Sequence, residues 1–139
     1  MLLLLTSVAL AFTADQLSKR AAHCYTLVRC TSWLQIRHVR HDASLYRKPA
    51  ARASLLLLWC VSLASALTLQ SSGVWLRSPA ALLGVGFALG GAAGNLTDIL
   101  RRQHVIDFID LSWWPVFNLA DVAIVGGLLL AFASTAPQL

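Results

Sequence analysis

Apolar residues gather into four stretches. They are Met1 to Ala14 (MLLLLTSVALAFTA), Ala53 to Leu69 (ASLLLLWCVSLASALTL), Pro79 to Leu96 (PAALLGVGFALGGAAGNL), and a run within Val116 to Ala136 that contains LADVAIVGGLLLAFASTA. A helix needs roughly 20 residues to cross about 30 Å of hydrocarbon. The last three stretches qualify with slight help from their flanks. The first would rise only about 21 Å, so its helix is expected to continue through Asp15 to Ala22. No basic residue precedes it and no clear A-x-A cleavage site follows, which favours a spanning helix over a cleaved signal peptide. Between the first two stretches, Leu34, Ile36 and His38 alternate with Gln35, Arg37 and Val39, the period of a strand. Glycine and alanine cluster over Gly84–Gly94 and at Gly126–Gly127, and such small residues let helices in lipid approach closely. The pattern predicts an all-α membrane protein. It is one domain over 1–139, a four-transmembrane-helix bundle with helices over about 1–22, 52–70, 79–98 and 116–137. A small β element is expected in an extramembrane loop over about 23–51.

Composition agrees. Of the 139 residues, 58% are hydrophobic and only 12% charged, about half the charged share of a soluble domain. That excludes an ordinary soluble domain and a disordered chain. Eight of the eleven basic residues fall between Lys19 and Arg52. Counted by the positive-inside rule, the first and third loops would be cytoplasmic. The net charge of +5 does not point to nucleic acid, because the basic residues lie in a loop between spanning helices with no recognition motif. Attraction to a membrane surface is the simpler account. Lys19 and Arg20, at a helix end, are expected to snorkel to the headgroups. Trp75 and Trp113–Trp114 lie at segment ends, where aromatic belts belong.

All six acids are Asp, and three of them concentrate the candidate chemistry. Asn95 and Asp98 share one helix face by their i,i+3 spacing. Asn118 and Asp121 repeat that spacing at the start of the fourth helix, and Asp107 lies in the apolar run Val105–Ile109. Ionisable groups at a membrane are costly and by default functional. Two carboxylates brought together share a proton, one serving as base for water and the other as acid for a carbonyl. Asp107 and Asp121 are the candidate pair, with Asn side chains to polarise and orient. An equally simple reading makes Asp121 a helix-start acid with Asn118 as its N-cap. Asp107 and Asp110 would then be solvated loop acids opposite Arg101 and Arg102.

The chain resembles the lipoprotein signal peptidase (signal peptidase II) family. The resemblance rests on Asp15-Gln16-Leu17-Ser18-Lys19, Gly90-Gly91-Ala92-Ala93-Gly94-Asn95-Leu96-Thr97-Asp98, Val105-Ile106-Asp107-Phe108-Ile109-Asp110 and Phe117-Asn118-Leu119-Ala120-Asp121, in order along the chain. It implies a multi-pass enzyme of the bacterial cytoplasmic membrane that cuts the signal peptide from a prolipoprotein before a diacylglyceryl cysteine. It also implies an Asp107–Asp121 dyad, Asn95 and Asn118 lining that site, and Asp15 and Asp98 supporting it. The site would lie near the outer face, with both termini cytoplasmic and the first loop outside, against the positive-inside count. The partners would be the prolipoprotein and membrane lipid; no cofactor, metal or nucleic acid is expected, and the chain is expected to be a monomer.

Two positions depart from the family pattern. Ile99 stands where Arg usually follows the Asp of the GNLxD block, and His41 stands where Asn is expected in the first loop. They recommend a second reading, an inactive relative that binds or sequesters lipidated precursors. A third, a scaffold or transporter subunit using its Asp residues as an ion site, is opposed by the lack of internal repeats and broken helices. Cys60 reads as a small buried apolar residue. Cys24 and Cys30 share a loop that the resemblance places outside, where a disulfide is permitted but not required. His23, Cys24, Cys30, His38 and His41 match no compact zinc spacing.

Overall fold

The computed structural model describes residues 1–23, 27–29, 31, 34–41, 44–72 and 78–135. They form α1 (Leu2–His23), β1 (Leu27–Arg29), β2 (Gln35–His41), a 3₁₀ turn (Ser44–Arg47), α2 (Pro49–Ser72), α3 (Pro79–Arg102), β3 (Val105–Asp110) and α4 (Leu119–Thr135). Cys24, Cys30, Asp42, Trp75 and Arg77 lie outside the described residues. The first helix does run on through Asp15 and Ala22, and its 22 residues rise about 33 Å. Both α2 and α3 open on a proline, whose fixed φ suits the first helical position. α3 runs past Asp98 to Arg102 and ends on Gln103 in the left-handed region (φ 63°), with the Gln103 N–H bonded to the Ile99 carbonyl. α4 starts at Leu119, later than expected, because Phe117 is held by β3 instead.

α3 is the axis of the bundle, and glycines make it so. Gly86, Gly90 and Gly94, spaced by four, face α1: an added Cβ would collide with Ser7, the Val8 carbonyl and Asp15 respectively. On another side, Gly84 and Gly91 meet α4, where a Cβ would lie 2.5 Å from the Gly127 and Ala120 carbonyls. Without these side chains the three backbones pack almost in contact. Gly127 belongs to the same seam, but Gly126 has open space beside it and is no packing residue. Polar groups near the seams are satisfied locally, as when the Ser7 hydroxyl donates to the Leu4 carbonyl at 2.8 Å.

α2 is attached mainly to α3 and to the 3₁₀ turn. Its polar tether is Trp59, whose Nε1 donates to the Leu89 carbonyl at 2.9 Å. Most of its surface faces outward, including Leu57, Leu58 and Val61. Cys60 is exposed there rather than buried, because a helix with one main neighbour has little inside to offer. The outward faces of α1 and α4 are equally apolar, with Leu2 79% and Phe132 78% exposed. An apolar collar of this extent on a small chain needs a hydrocarbon solvent. The chain is a four-helix membrane bundle.

The small β element is larger than the loop alone predicted. Its three antiparallel strands are ordered β1-β2-β3, and β3 comes from the segment between α3 and α4. The VIDFID run of β3 carries apolar and acidic residues on both faces, which hides its period. Ile36 pairs with Ile109, yet Val39 pairs with Asp107, so β2 holds one extra residue between them. This bulge brings Val39 onto the face of Ile36, the Asp107 face, which strict alternation would have denied it.

Candidate active site

Asp107 is carried by β3, where it is buried (5% exposed) beside Ile106 and Phe108. Beyond the strand the chain doubles back. The Asp110 carboxylate accepts from the Ser112 N–H at 2.8 Å, and Ser112 adopts a left-handed φ of 65°. The Trp113 N–H reaches the Leu111 carbonyl at 2.8 Å, leaving Trp113 and Trp114 exposed at the corner. Phe117 then pairs with β3 through bonds of 2.8 and 3.1 Å to Ile109. This fold-back delivers Asn118 to Asp107: its Nδ2 donates to Asp107 Oδ1 at 2.7 Å.

The start of α4 fixes Asp121. The Asn118 Oδ1 accepts from the Asp121 N–H at 3.0 Å, and Asp121 Oδ2 accepts from the Asn118 N–H at 3.1 Å. This is a reciprocal cap of the kind that satisfies free amides at helix starts. The next free amide, that of Ala120, donates to Asp15 Oδ1 at 3.0 Å. The helix-start reading of Asn118 and Asp121 is therefore true, and it is also what immobilises them beside Asp107. Asn95, from α3, completes the arrangement. Its Nδ2 donates to Asp121 Oδ1 at 2.8 Å, and its Oδ1 accepts from Asn118 Nδ2 at 3.0 Å. Asn95, Asp107 and Asp121 line one open pocket of about 210 Å³ with Tyr46 and Val105.

Behind this pocket lies an ionic cluster. Lys19 is 1% exposed, and its Nζ lies 2.9 Å from Asp15 Oδ2, 2.7 Å from Asp98 Oδ2 and 2.9 Å from Asn95 Oδ1. Lys19 does not snorkel to a headgroup; two buried carboxylates hold it inside. Asp98 also pairs with Arg102 and does not line the pocket, although it shares the helix face of Asn95. The loop-acid reading fails for Asp107 and Asp110. Asp107 and Asp110 are buried strand residues, and Asp110 pairs with Arg37 at 2.6 Å. His41 lies in β2 opposite Val105, next to the pocket wall.

Sequence reasoning missed Lys19 and Tyr46. The i,i+4 spacing of Asp15 and Lys19 was the available signal for the first. Tyr46 gave none, because its place depends on how the first loop folds. A second, apolar groove of about 290 Å³ reaches the same site from between α2 and α3, lined by Leu55, Trp59, Asn95, Leu96, Ile99 and Ile124 among others.

Several known proteins are similar to this chain. A bacterial membrane enzyme solved by the in meso method at 1.9 Å superposes with a TM-score of 0.72 at 16% identity, over 98% of this chain and 94% of that one. The lipoprotein signal peptidase of Rhodococcus jostii is 41% identical over 102 residues, 66% of this chain and 52% of that protein. That of Syntrophomonas wolfei is 63% identical over 54 residues, 38% of this chain and 36% of that protein. The chain thus spans about half the length of the first relative and about a third of the second. Residues 7–136 match the family model of signal peptidase (SPase) II, and the chain belongs to that family.

Proposed function

We propose that this chain is an aspartic endopeptidase that removes the signal peptide of prolipoproteins, with Asp107 and Asp121 as its catalytic pair and no cofactor. The carrying observation is that these two carboxylates, from β3 and α4, line one pocket and are tied together through Asn95 and Asn118. In this reading the pair holds one proton between them. The ionised carboxylate takes a proton from water as the water oxygen attacks the scissile carbonyl carbon. The protonated carboxylic acid gives its proton to the carbonyl oxygen. Collapse of the hydrated intermediate breaks the C–N bond as the carboxylic acid formed in the first step gives its proton to the leaving nitrogen, and a hydroxyl of the intermediate gives its proton to the ionised partner, which restores the pair to its first state.

The apolar groove at Asn95 suits the acyl chains or apolar signal helix of a diacylglyceryl-cysteine precursor, and Ile99 contributes to its wall. The strands and pocket would face the outer side of the bacterial cytoplasmic membrane, with the substrate arriving from the bilayer. The test is cleavage of one diacylated precursor by wild type, Asp107→Asn and Asp121→Asn. Each variant is expected to lose more than about 1000-fold in turnover, as enzymes losing an essential acid or base do. Full turnover in both would overturn the assignment. The cyclic peptide globomycin, an inhibitor of the family, is expected to compete with substrate.

A further inference from the structure

The 210 Å³ pocket has five lining residues, and four of them come from α3, β3 and α4. The fifth, Tyr46, arrives on the 3₁₀ turn Ser44–Arg47 between β2 and α2. The polar side chains already assigned to the site are engaged with one another. Asn95 binds Asp121, Lys19 and Asn118, while the Asn118 amide binds Asp107, the Ile106 carbonyl and Asn95. Tyr46 differs: among the described residues it is the pocket-lining polar side chain that makes no hydrogen bond. Hydration of a peptide carbonyl builds negative charge on its oxygen, and a donor aimed at that charge contributes strongly to the rate. The amides bound to carboxylates orient the acids, so they are poorly placed to serve this oxygen as well.

We infer that Tyr46 is a substrate-touching residue of this site, whose phenolic O–H donates to the carbonyl oxygen of the scissile peptide as it becomes tetrahedral. The inference rests on the aspartic-peptidase reading above. It makes the first loop part of the catalytic apparatus, since the turn that carries Tyr46 leads directly from β2 into α2. Its chemistry is that of a neutral donor: no proton is lost by the phenol, and the dyad still supplies the proton that the carbonyl oxygen finally keeps.

The experiment compares Tyr46→Phe, Tyr46→Leu and Asp107→Asn in one cleavage assay on a diacylated precursor peptide, with thermal unfolding in detergent recorded for each. Tyr46→Phe is expected to lower kcat about 10- to 100-fold with KM within twofold, below the largest losses known for such donors because the dyad still serves the oxygen. Tyr46→Leu is expected to match it in kcat. Wild-type kcat in Tyr46→Phe would overturn the inference, and if Tyr46→Leu alone is impaired, the ring acts by packing. If Tyr46→Phe unfolds markedly earlier than wild type, 3-fluorotyrosine at position 46 replaces it, and an unmoved kcat there overturns the inference equally. Retained activity in Asp107→Asn would instead remove the reading on which it rests, so the two failures are distinct.

Discussion

Two pairs of carboxylates lie close together in this bundle and have opposite surroundings. Asp15 and Asp98 are fully buried, and Lys19 lies between them at 2.9 and 2.7 Å. Asp107 and Asp121 line an open pocket and are held by the amides of Asn118 and Asn95. A carboxylate enclosed with a buried cation has no access to a substrate. One held by neutral amides next to a cavity can meet water and substrate. The first pair joins α1 to α3, the second joins β3 to α4, and Asn95 touches both through Lys19 and Asp121. The ionic cluster thus acts as the foundation on which the proposed catalytic pair is oriented.

The largest expected effect comes from breaking the foundation. Lys19→Met strands Asp15 and Asp98 as buried carboxylates without their shared cation. Removing one partner of a buried ion pair costs about 3–5 kcal/mol. The α1–α3 seam is so close at Gly94, which packs on Asp15, that little relaxation or water entry can offset it. Chemical denaturation in detergent should show the loss, with activity falling in step with the folded fraction. Asp107→Asn is the opposite case. Its Oδ1 can still accept from Asn118, so its stability should stay within about 1 kcal/mol of wild type while turnover vanishes. If Lys19→Met proves as stable as wild type, the buried cation is not what distinguishes the two pairs.

Asn118→Ala lies between these extremes because Asn118 serves both purposes. It removes the cap on α4, at about 1 kcal/mol, and it releases Asp107 from its amide partner. A helix-start role alone would move only stability. The expected outcome is a loss of about 1–2 kcal/mol together with a fall of at least 10-fold in kcat, read by denaturation and by precursor cleavage on the same preparation.

The sequence showed the four helices, the continuation of α1 past Asp15 and the grouping of Asn95, Asp107, Asn118 and Asp121, because apolar runs and i,i+3 spacings are local signals. It could not separate the two Asn–Asp pairs. Asn95–Asp98 and Asn118–Asp121 have the same spacing, yet Asp98 turns to Lys19 while Asp121 turns to the pocket. Which partner each finds depends on the glycine seams that set α3 against α1 and α4. Strand β3 was hidden because its acids fall on both faces of VIDFID. Lys19 near a helix end resembled an interfacial cation, and only the packing of α1 on α3 encloses it.

A fifth acid, at a third site, shows how far burial governs the contrast. Asp110 lies at the edge of the sheet, paired with Arg37 at 2.6 Å, and the Arg37 side chain is 49% exposed. Its carboxylate also accepts from the Ser112 N–H, so loss of Arg37 does not leave it unpaired. A pair whose cation reaches water lies near the exposed limit of about 0–1 kcal/mol, and salt screens it further. Arg37→Gln is therefore expected to cost less than about 1 kcal/mol and to leave kcat within twofold, with the stability difference shrinking as salt is raised. A larger, salt-independent loss would place Asp110 with Asp15 and Asp98 as a structural anchor. The expected small one ranks the three acid sites by the exposure of the cation that each meets, or by its absence from the amide contacts that hold Asp107 and Asp121.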